Sequence, residues 1–192
     1  MRQKKLQKQK YIYELNRDSS QQDKVLTISS PMSVSSDKTI VFHTCSIETS
    51  EENPFFVSLE VDYSLVDEIE VGSNANTPSP YSVTEKMLVF YELDQGSHSV
   101  TRREKKSVDP TANLLIPVVG GSKGPGGVLV CSENMLTYKN LADDQSVQVP
   151  IPRRQDMPYG RGLLITSFTT QYESDYPFIL LQSEYGDLYC VQ

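Results

Sequence analysis

Asn113–Pro152 contains four short runs in succession, NLLIPVVG, GVLVCSEN, MLTYKN and QSVQVPIP, separated by glycine-rich or polar joints. The apolar positions alternate or run together over a few residues and lack the i, i+3, i+4 spacing of an amphipathic helix, so each run reads as a strand. The same group of four occurs upstream, from Thr39 onward, as TIVFHTCSI, PFFVSLEVDY, KMLVFYELD and HSVTRREK. A third copy begins with RGLLITSFTT and PFILLQSEYGD and runs to LYCVQ. The aligned tyrosines Tyr91, Tyr138 and Tyr189 stand 47 and 51 residues apart. Blades of four strands repeat at roughly 40 to 50 residues, a period that a β-sandwich does not predict. The expected fold is all-β, a partial WD-repeat-like β-propeller of about three four-stranded antiparallel blades that do not close into a ring.

Upstream of these groups, KYIYELN and KVLTIS read as the outer half of one further blade, giving thirteen strands in all. The expected organisation is a single incomplete propeller domain over 1–192, with the half-blade in 1–30, blades at 38–107 and 113–152, and a partial blade at 161–192. Turn-forming clusters such as Asp94-Gln95-Gly96, Glu133-Asn134 and Glu184-Tyr185-Gly186-Asp187 separate the runs. The segment 64–85, SLVDEIEVGSNANTPSPYSVTE, interrupts the first full blade with acids, Gly, Asn, Ser and Pro and is expected to be a mobile acidic loop. About three blades cannot complete a circle, so the rest of the ring is expected in a longer parent chain.

A formal charge of −7 disfavours a broad nucleic-acid-binding face, which needs clustered Lys and Arg. Between Thr39 and Glu85 there are nine acids and no Lys or Arg, whereas the first ten residues are basic. Cys45, Cys131 and Cys190 are far apart, form no CxxC pair, and sit in apolar runs that imply buried, reduced thiols. No apolar run approaches the roughly 18 residues of a membrane span.

Catalytic chemistry finds little support. His43 lies inside the apolar run VFHTC and reads as a core or edge histidine, and His98 follows the Asp94-Gln95-Gly96 turn. Gly120–Gly127 invites comparison with a phosphate loop, but a phosphate loop needs Lys where Gly127 stands and a helix where a strand follows. The carboxylate pairs Glu51-Glu52 and Asp143-Asp144 fall in polar turns, and two distant His with three distant Cys make no metal site, so neither catalytic residue, metal nor cofactor is expected. Two features invite function. Arg153, Arg154 and Arg161 place three guanidinium groups on one connection between blades, suited either to a partner contact or to a blade-to-blade salt bridge with an acidic turn. Thr77-Pro78 and Ser79-Pro80 are sites of the kind proline-directed kinases modify, which makes Thr77 and Ser79 candidate phosphorylation sites.

GPGGVLVCSENMLTYKNL, Gly124 to Leu141, followed by PIPRR, Pro150 to Arg154, resembles the subunit 3 family of splicing factor 3b. KQKYIYELNRD, LTISSP, NPFFVSLEVDY and LVFYELD extend the resemblance, in order, across nearly the whole chain. The large subunit of the damaged-DNA-binding complex and the largest cleavage and polyadenylation specificity factor subunit share the blades but are less similar in these blocks. The loop 64–85, LADDQSVQV and RQDMPYG depart from the family pattern. The resemblance implies a nuclear, non-catalytic scaffold of the spliceosome that supports branch-site recognition. Its implied partners are the other splicing factor 3b subunits, helical-repeat and small, and the rest of the parent propeller chain, with nucleic acid touched at most indirectly. The alternative is a related propeller adaptor of a ubiquitin ligase or of mRNA 3′-end processing.

Overall fold

The computed structural model describes residues 10–17, 26–34, 38–49, 51–63, 85–143, 146–157, 160–172 and 177–192. Every strand within them pairs antiparallel. Four strands, β5 (Thr39–Ile47), β6 (Phe55–Asp62), β7 (Lys86–Asp94) and β8 (Ser99–Ser107), lie side by side in chain order. A second meander of four follows, β9 (Leu114–Pro117), β10 (Val128–Ser132), β11 (Met135–Lys139) and β12 (Val147–Pro150). The third sheet holds β13 (Ile165–Gln171), β14 (Phe178–Ser183) and β15 (Leu188–Val191).

The sheets pack face to face, which explains why the middle strands read as nearly continuous apolar runs. In β10, Val128 and Val130 face the first sheet and join Val57, Leu59, Leu88, Phe90 and Leu115 in one core. Their neighbours Leu129 and Cys131 point the other way, into a core with Ile116, Leu163, Ile165, Ile179 and Leu181. A strand alternates sides with period two, so burial on both faces requires apolar residues at both parities. Where one face is open the alternation returns: β5 is half-buried at odd positions and exposed at even ones from Thr39 to Ser46. The first strands β5, β9 and β13 lie next to one another. The sheets therefore radiate from one side, as propeller blades do, and among the described residues no sheet is closed.

Tyr91, Tyr138 and Tyr189 fall on β7, β11 and β15, the third strand of each sheet. Their side chains are not equivalent. Tyr91 stacks on Phe56 at 5.0 Å between ring centres, whereas the Tyr138 hydroxyl donates to the Gly126 carbonyl and that of Tyr189 to the Pro152 carbonyl.

The N-terminal region differs in detail from two simple strands. It is one ribbon with an interruption: β1 (Lys10–Ile12) pairs with β4 (Met32–Val34), and β2 (Leu15–Arg17) with β3 (Leu26–Ile28). Between the paired segments, Tyr13 and Glu14 stand opposite Ser29, Ser30 and Pro31, an extra residue that bulges the strand where Pro31 has no N–H for the ladder. Ser29 clamps the bulge, its N–H donating to the Glu14 carbonyl and its hydroxyl accepting the Glu14 N–H, both at 2.9 Å. Val34 and Ile12 pack with Val89, Tyr91, Met87 and Val100, so the ribbon covers the outer strands of the first sheet, with β4 beside β8.

Candidate interaction surface

The three arginines lie on the connection from β12 to β13, which the chain secures in several ways. Ile151 is buried and its N–H donates to the Asn134 carbonyl at 2.9 Å. Asn134 turns the β10–β11 hairpin at φ +61°, a conformation that Asn tolerates better than most residues. Its N–H reaches the Leu163 carbonyl at 2.9 Å, and its Oδ1 accepts from Leu163 N–H at 3.0 Å and from Arg153 Nη1 at 3.3 Å. One asparagine thus fastens a hairpin tip to both ends of the connection.

All three guanidinium groups come together there. Arg153 Nη2 donates to the Arg161 carbonyl at 2.5 Å. Arg154 pairs with Asp156 at 3.3 Å and with Asp187 at 3.2 Å. Arg161 pairs with Glu184 at 3.6 Å and stacks over Tyr185 at 5.7 Å. Glu184 and Asp187 bracket the β14–β15 turn, so the pairs bridge the second and third sheets. The Arg154 and Arg161 side chains are 50% and 66% exposed, so water screens these pairs and each is worth roughly 0 to 1 kcal/mol. The cluster is charge-balanced toward its own chain and keeps guanidinium surface in solvent. Thr77, Ser79 and 64–84 lie outside the described residues.

The first and second sheets are joined by a residue that sequence reading overlooked. Lys106, 9% exposed, donates to the carbonyls of Asn140 and Asp143, each at 2.8 Å, pairs with Glu104 at 3.4 Å, and lies over the Phe90 ring at 6.0 Å. It directly follows the run HSVTRREK, which looks like a solvated face, and its partners are 34 and 37 residues away in the chain. Glu60 and Tyr91 form a second buried polar contact, the phenol donating to the carboxylate at 3.0 Å. Gly120–Gly127 joins β9 to β10 as a hairpin loop, with Gly120 N–H on Glu48 Oε2 at 2.8 Å.

The histidines and thiols offer little chemistry. His43 is half-buried on β5, burial lowers its pKa, and its Nδ1 has no hydrogen-bond partner. Burial pushes the Cys45 and Cys131 thiols up to about 12, far from thiolate formation. Cys190 departs from the expected burial: it is exposed on β15, and among the described residues no further sheet lies against its face. Among the described residues no group of three His, Cys, Asp or Glu side chains could hold a metal ion.

Two of the open regions bear on how the sheets are covered. An apolar groove of about 370 Å³ separates the second and third sheets, lined by Leu129, Tyr138, Val147, Phe178, Ile179 and Val191. A cleft of about 510 Å³ lies between the ribbon and the inner half of the first sheet. Neither converges acids, bases or nucleophiles around a reacting centre, and both have the character of surfaces meant to be covered.

Comparison with known proteins agrees with this geometry. Spliceosome-associated protein 130 A of Arabidopsis thaliana is 41% identical over 185 residues, covering 96% of this chain and 14% of that protein. Splicing factor 3B subunit 3 of Danio rerio is 40% identical over 188 residues, and pre-mRNA-splicing factor rse1 of Emericella nidulans is 40% identical over 186. In each case 96% of this chain is matched, and it spans 14–15% of the length of these relatives. The family model described as RSE1/DDB1/CPSF1 first beta-propeller matches residues 4–192. With radiating four-stranded sheets and a family match along nearly its whole length, the chain belongs to the RSE1/DDB1/CPSF1 first β-propeller family.

Proposed function

We propose that these residues are blades of a non-catalytic splicing scaffold, part of a longer nuclear protein that supports branch-site recognition within the spliceosome. The observation that carries this reading is the identity of 40–41% over 96% of the chain to proteins named as splicing factors. The architecture supports it, since stacked blades present wide surfaces and no reacting centre is assembled among the described residues. In this reading 38–107 and 113–152 are whole blades, 161–192 is part of another and 1–30 is the outer half of a preceding one. Its partners are the helical-repeat and small subunits of splicing factor 3b and the remainder of its own polypeptide; RNA is met indirectly. Arg153, Arg154 and Arg161 offer solvent-facing donors to an acidic partner beside their own salt bridges, and phosphate on Thr77 or Ser79 would add charge to an acidic segment.

The test is affinity purification of the endogenously tagged protein followed by mass spectrometry. Co-purification of splicing factor 3b subunits is expected, and their absence would overturn the reading. The alternative, an adaptor of a ubiquitin ligase or of mRNA 3′-end processing, is favoured by the breadth of the family description. It predicts ligase or polyadenylation subunits in the same purification. Arg153→Glu with Arg154→Glu should weaken recovery of a contacting subunit several-fold, and unchanged recovery would assign these arginines to the sheet junction alone.

A further inference from the structure

The two four-stranded sheets end outward in edges of different kinds. The outer strand of the second sheet, β12, is four residues long and closes on Pro150, which has no N–H to offer. That of the first sheet, β8, is nine residues long without a proline, and among the described residues β7 is the only strand that pairs with it. A long edge invites pairing, and folded proteins usually blunt it. The register shows which amides β8 presents. Leu93 N–H bonds to the Pro54 carbonyl, away from β8, whereas Val108 N–H bonds to the Lys86 carbonyl. Alternation along the two arms of β8, on either side of a bulge where Arg103 has no partner on β7, turns the N–H groups of Val100, Arg102, Lys105 and Ser107 outward. The side chains on this edge are cationic. Arg102 lies opposite Tyr91 and Lys105 opposite Val89, so both share the face that the ribbon covers and stand exposed at its outer margin. Arg103 pairs with Glu92 and Lys106 with Glu104, but neither the Arg102 nor the Lys105 side chain has an ion pair or hydrogen bond among the described residues.

We propose that the outer edge of β8 binds an extended acidic segment of a partner protein as a fifth strand of the first sheet. The segment's backbone pairs with the outward groups of Val100, Arg102, Lys105 and Ser107, and its carboxylates meet Arg102 and Lys105. Two other occupants fit this edge less well. A second copy of the chain would bring the same cations edge to edge, and like charges directly opposite one another destabilise a sheet. A nucleic acid would use the cations but set its phosphates against the outward carbonyls of the same residues, whereas a polypeptide strand satisfies both amides and carbonyls. The chemistry of the edge also sets the partner's pattern. Strand side chains alternate with period two, so acids at every second position line up with Arg102 and Lys105. The residues between them are uncharged, because Glu104, opposite core-facing Phe90, borders the other face and is already engaged by Lys106. The proposal is independent of which complex the chain serves.

The test uses the purified polypeptide expressed from its own gene and a fluorescent synthetic peptide of alternating glutamate and threonine, with a lysine–threonine peptide as control. Anisotropy at low ionic strength should show saturable binding of the glutamate peptide and none of the control. Arg102→Glu with Lys105→Glu should weaken it by about fivefold or more, since two exposed ion pairs are exchanged for repulsion. Ser107→Pro removes one outward amide and no charge, on the side of β8 where proline spares the β7 ladder, and should weaken binding several-fold. Hydrogen exchange needs no variant: the peptide should slow exchange at Val100, Arg102, Lys105 and Ser107. No binding, equal binding of the lysine peptide, full affinity in either variant, or unchanged exchange at those four amides would overturn the proposal. Displacement of the peptide by oligouridine more readily than by unlabelled peptide would assign the edge to nucleic acid, and dimerisation of the polypeptide lost in Ser107→Pro would assign it to a second copy; either would overturn it too.

Discussion

Single residues in this chain matter most where polar groups are shut between sheets. Tyr91, 2% exposed, donates its phenol to the 3%-exposed Glu60 carboxylate at 3.0 Å. Tyr91→Phe keeps the stack on Phe56 and removes a donor from a buried carboxylate, which should cost about 1–3 kcal/mol in urea denaturation of the purified protein. An unchanged midpoint would show that this contact contributes nothing. Glu92 is held below its usual pKa of 4.5, first by the Asn53 amide, at 2.7 Å, and then by the Arg103 guanidinium. A carboxyl with a lowered folded pKa contributes stability that is complete above its unfolded value and fades as pH falls through the folded one. Thermal midpoints measured downward from pH 6 should therefore fall in acid, and Asn53→Ala should shrink the part of that fall due to Glu92. A variant with the same acid limb as the parent protein would contradict this. Residue-scale contacts were the least legible part of the sequence. Asn134 and Leu163 are 29 positions apart, and nothing local in SEN announces that the amide will clasp the next connection. For Arg154 and Arg161 charge suggested either a partner or an acidic turn but not which turn, and the structure pairs them with Asp187 and Glu184.

At the scale of the element, turns decide register. Gly127 opens β10 at φ +82°, and a Cβ there would lie 2.6 Å from the Lys139 carbonyl oxygen on the neighbouring strand. Gly160 has a similar φ of +79°, but a Cβ there meets nothing within 4 Å. Both substitutions to Ala incur the left-handed penalty of roughly 1–2 kcal/mol, and Gly127→Ala adds a backbone clash that must push β10 from β11. Denaturation should therefore rank Gly127→Ala as the more destabilising by at least about 1 kcal/mol, and equal costs would refute the close approach. The strands themselves were readable because period-two alternation and short apolar runs are set by burial of one face or of both. The Tyr91, Tyr138 and Tyr189 spacing located the third strand of each sheet correctly. It did not reveal which face each tyrosine takes, since bulges at Val41/His43, at Phe90/Tyr91 and in β13 shift side chains relative to the repeat. The ribbon's interruption at Ser29–Pro31 was missed for the same reason: a bulge changes register without breaking the hydrophobic pattern.

For the molecule as a whole, exposed apolar surface follows from architecture. Val147 and Val149 on β12 are 60% and 53% exposed, while their strand mates on β10 and β11 are covered by the third sheet. That sheet has three strands where the first two have four, and the open position lies beyond β15. The expectation of buried thiols failed at Cys190 because the sequence shows an apolar run but not whether another sheet faces it. If these blades belong to a larger ring, a further strand pairs with β15 in the longer protein. Ser183 N–H bonds to the Asp187 carbonyl, and register places Tyr189 opposite Leu181 and Val191 opposite Ile179. Antiparallel pairs alternate between bonded and non-bonded, so the N–H groups of Leu188 and Cys190 point away from β14, toward the open edge. Hydrogen exchange resolved to single amides, in the polypeptide expressed from its own gene, tests the larger ring directly. Protection of Leu188 and Cys190 comparable to that of Tyr189 and Val191 is the predicted result, and exchange at these two amides as fast as in open chain would contradict it.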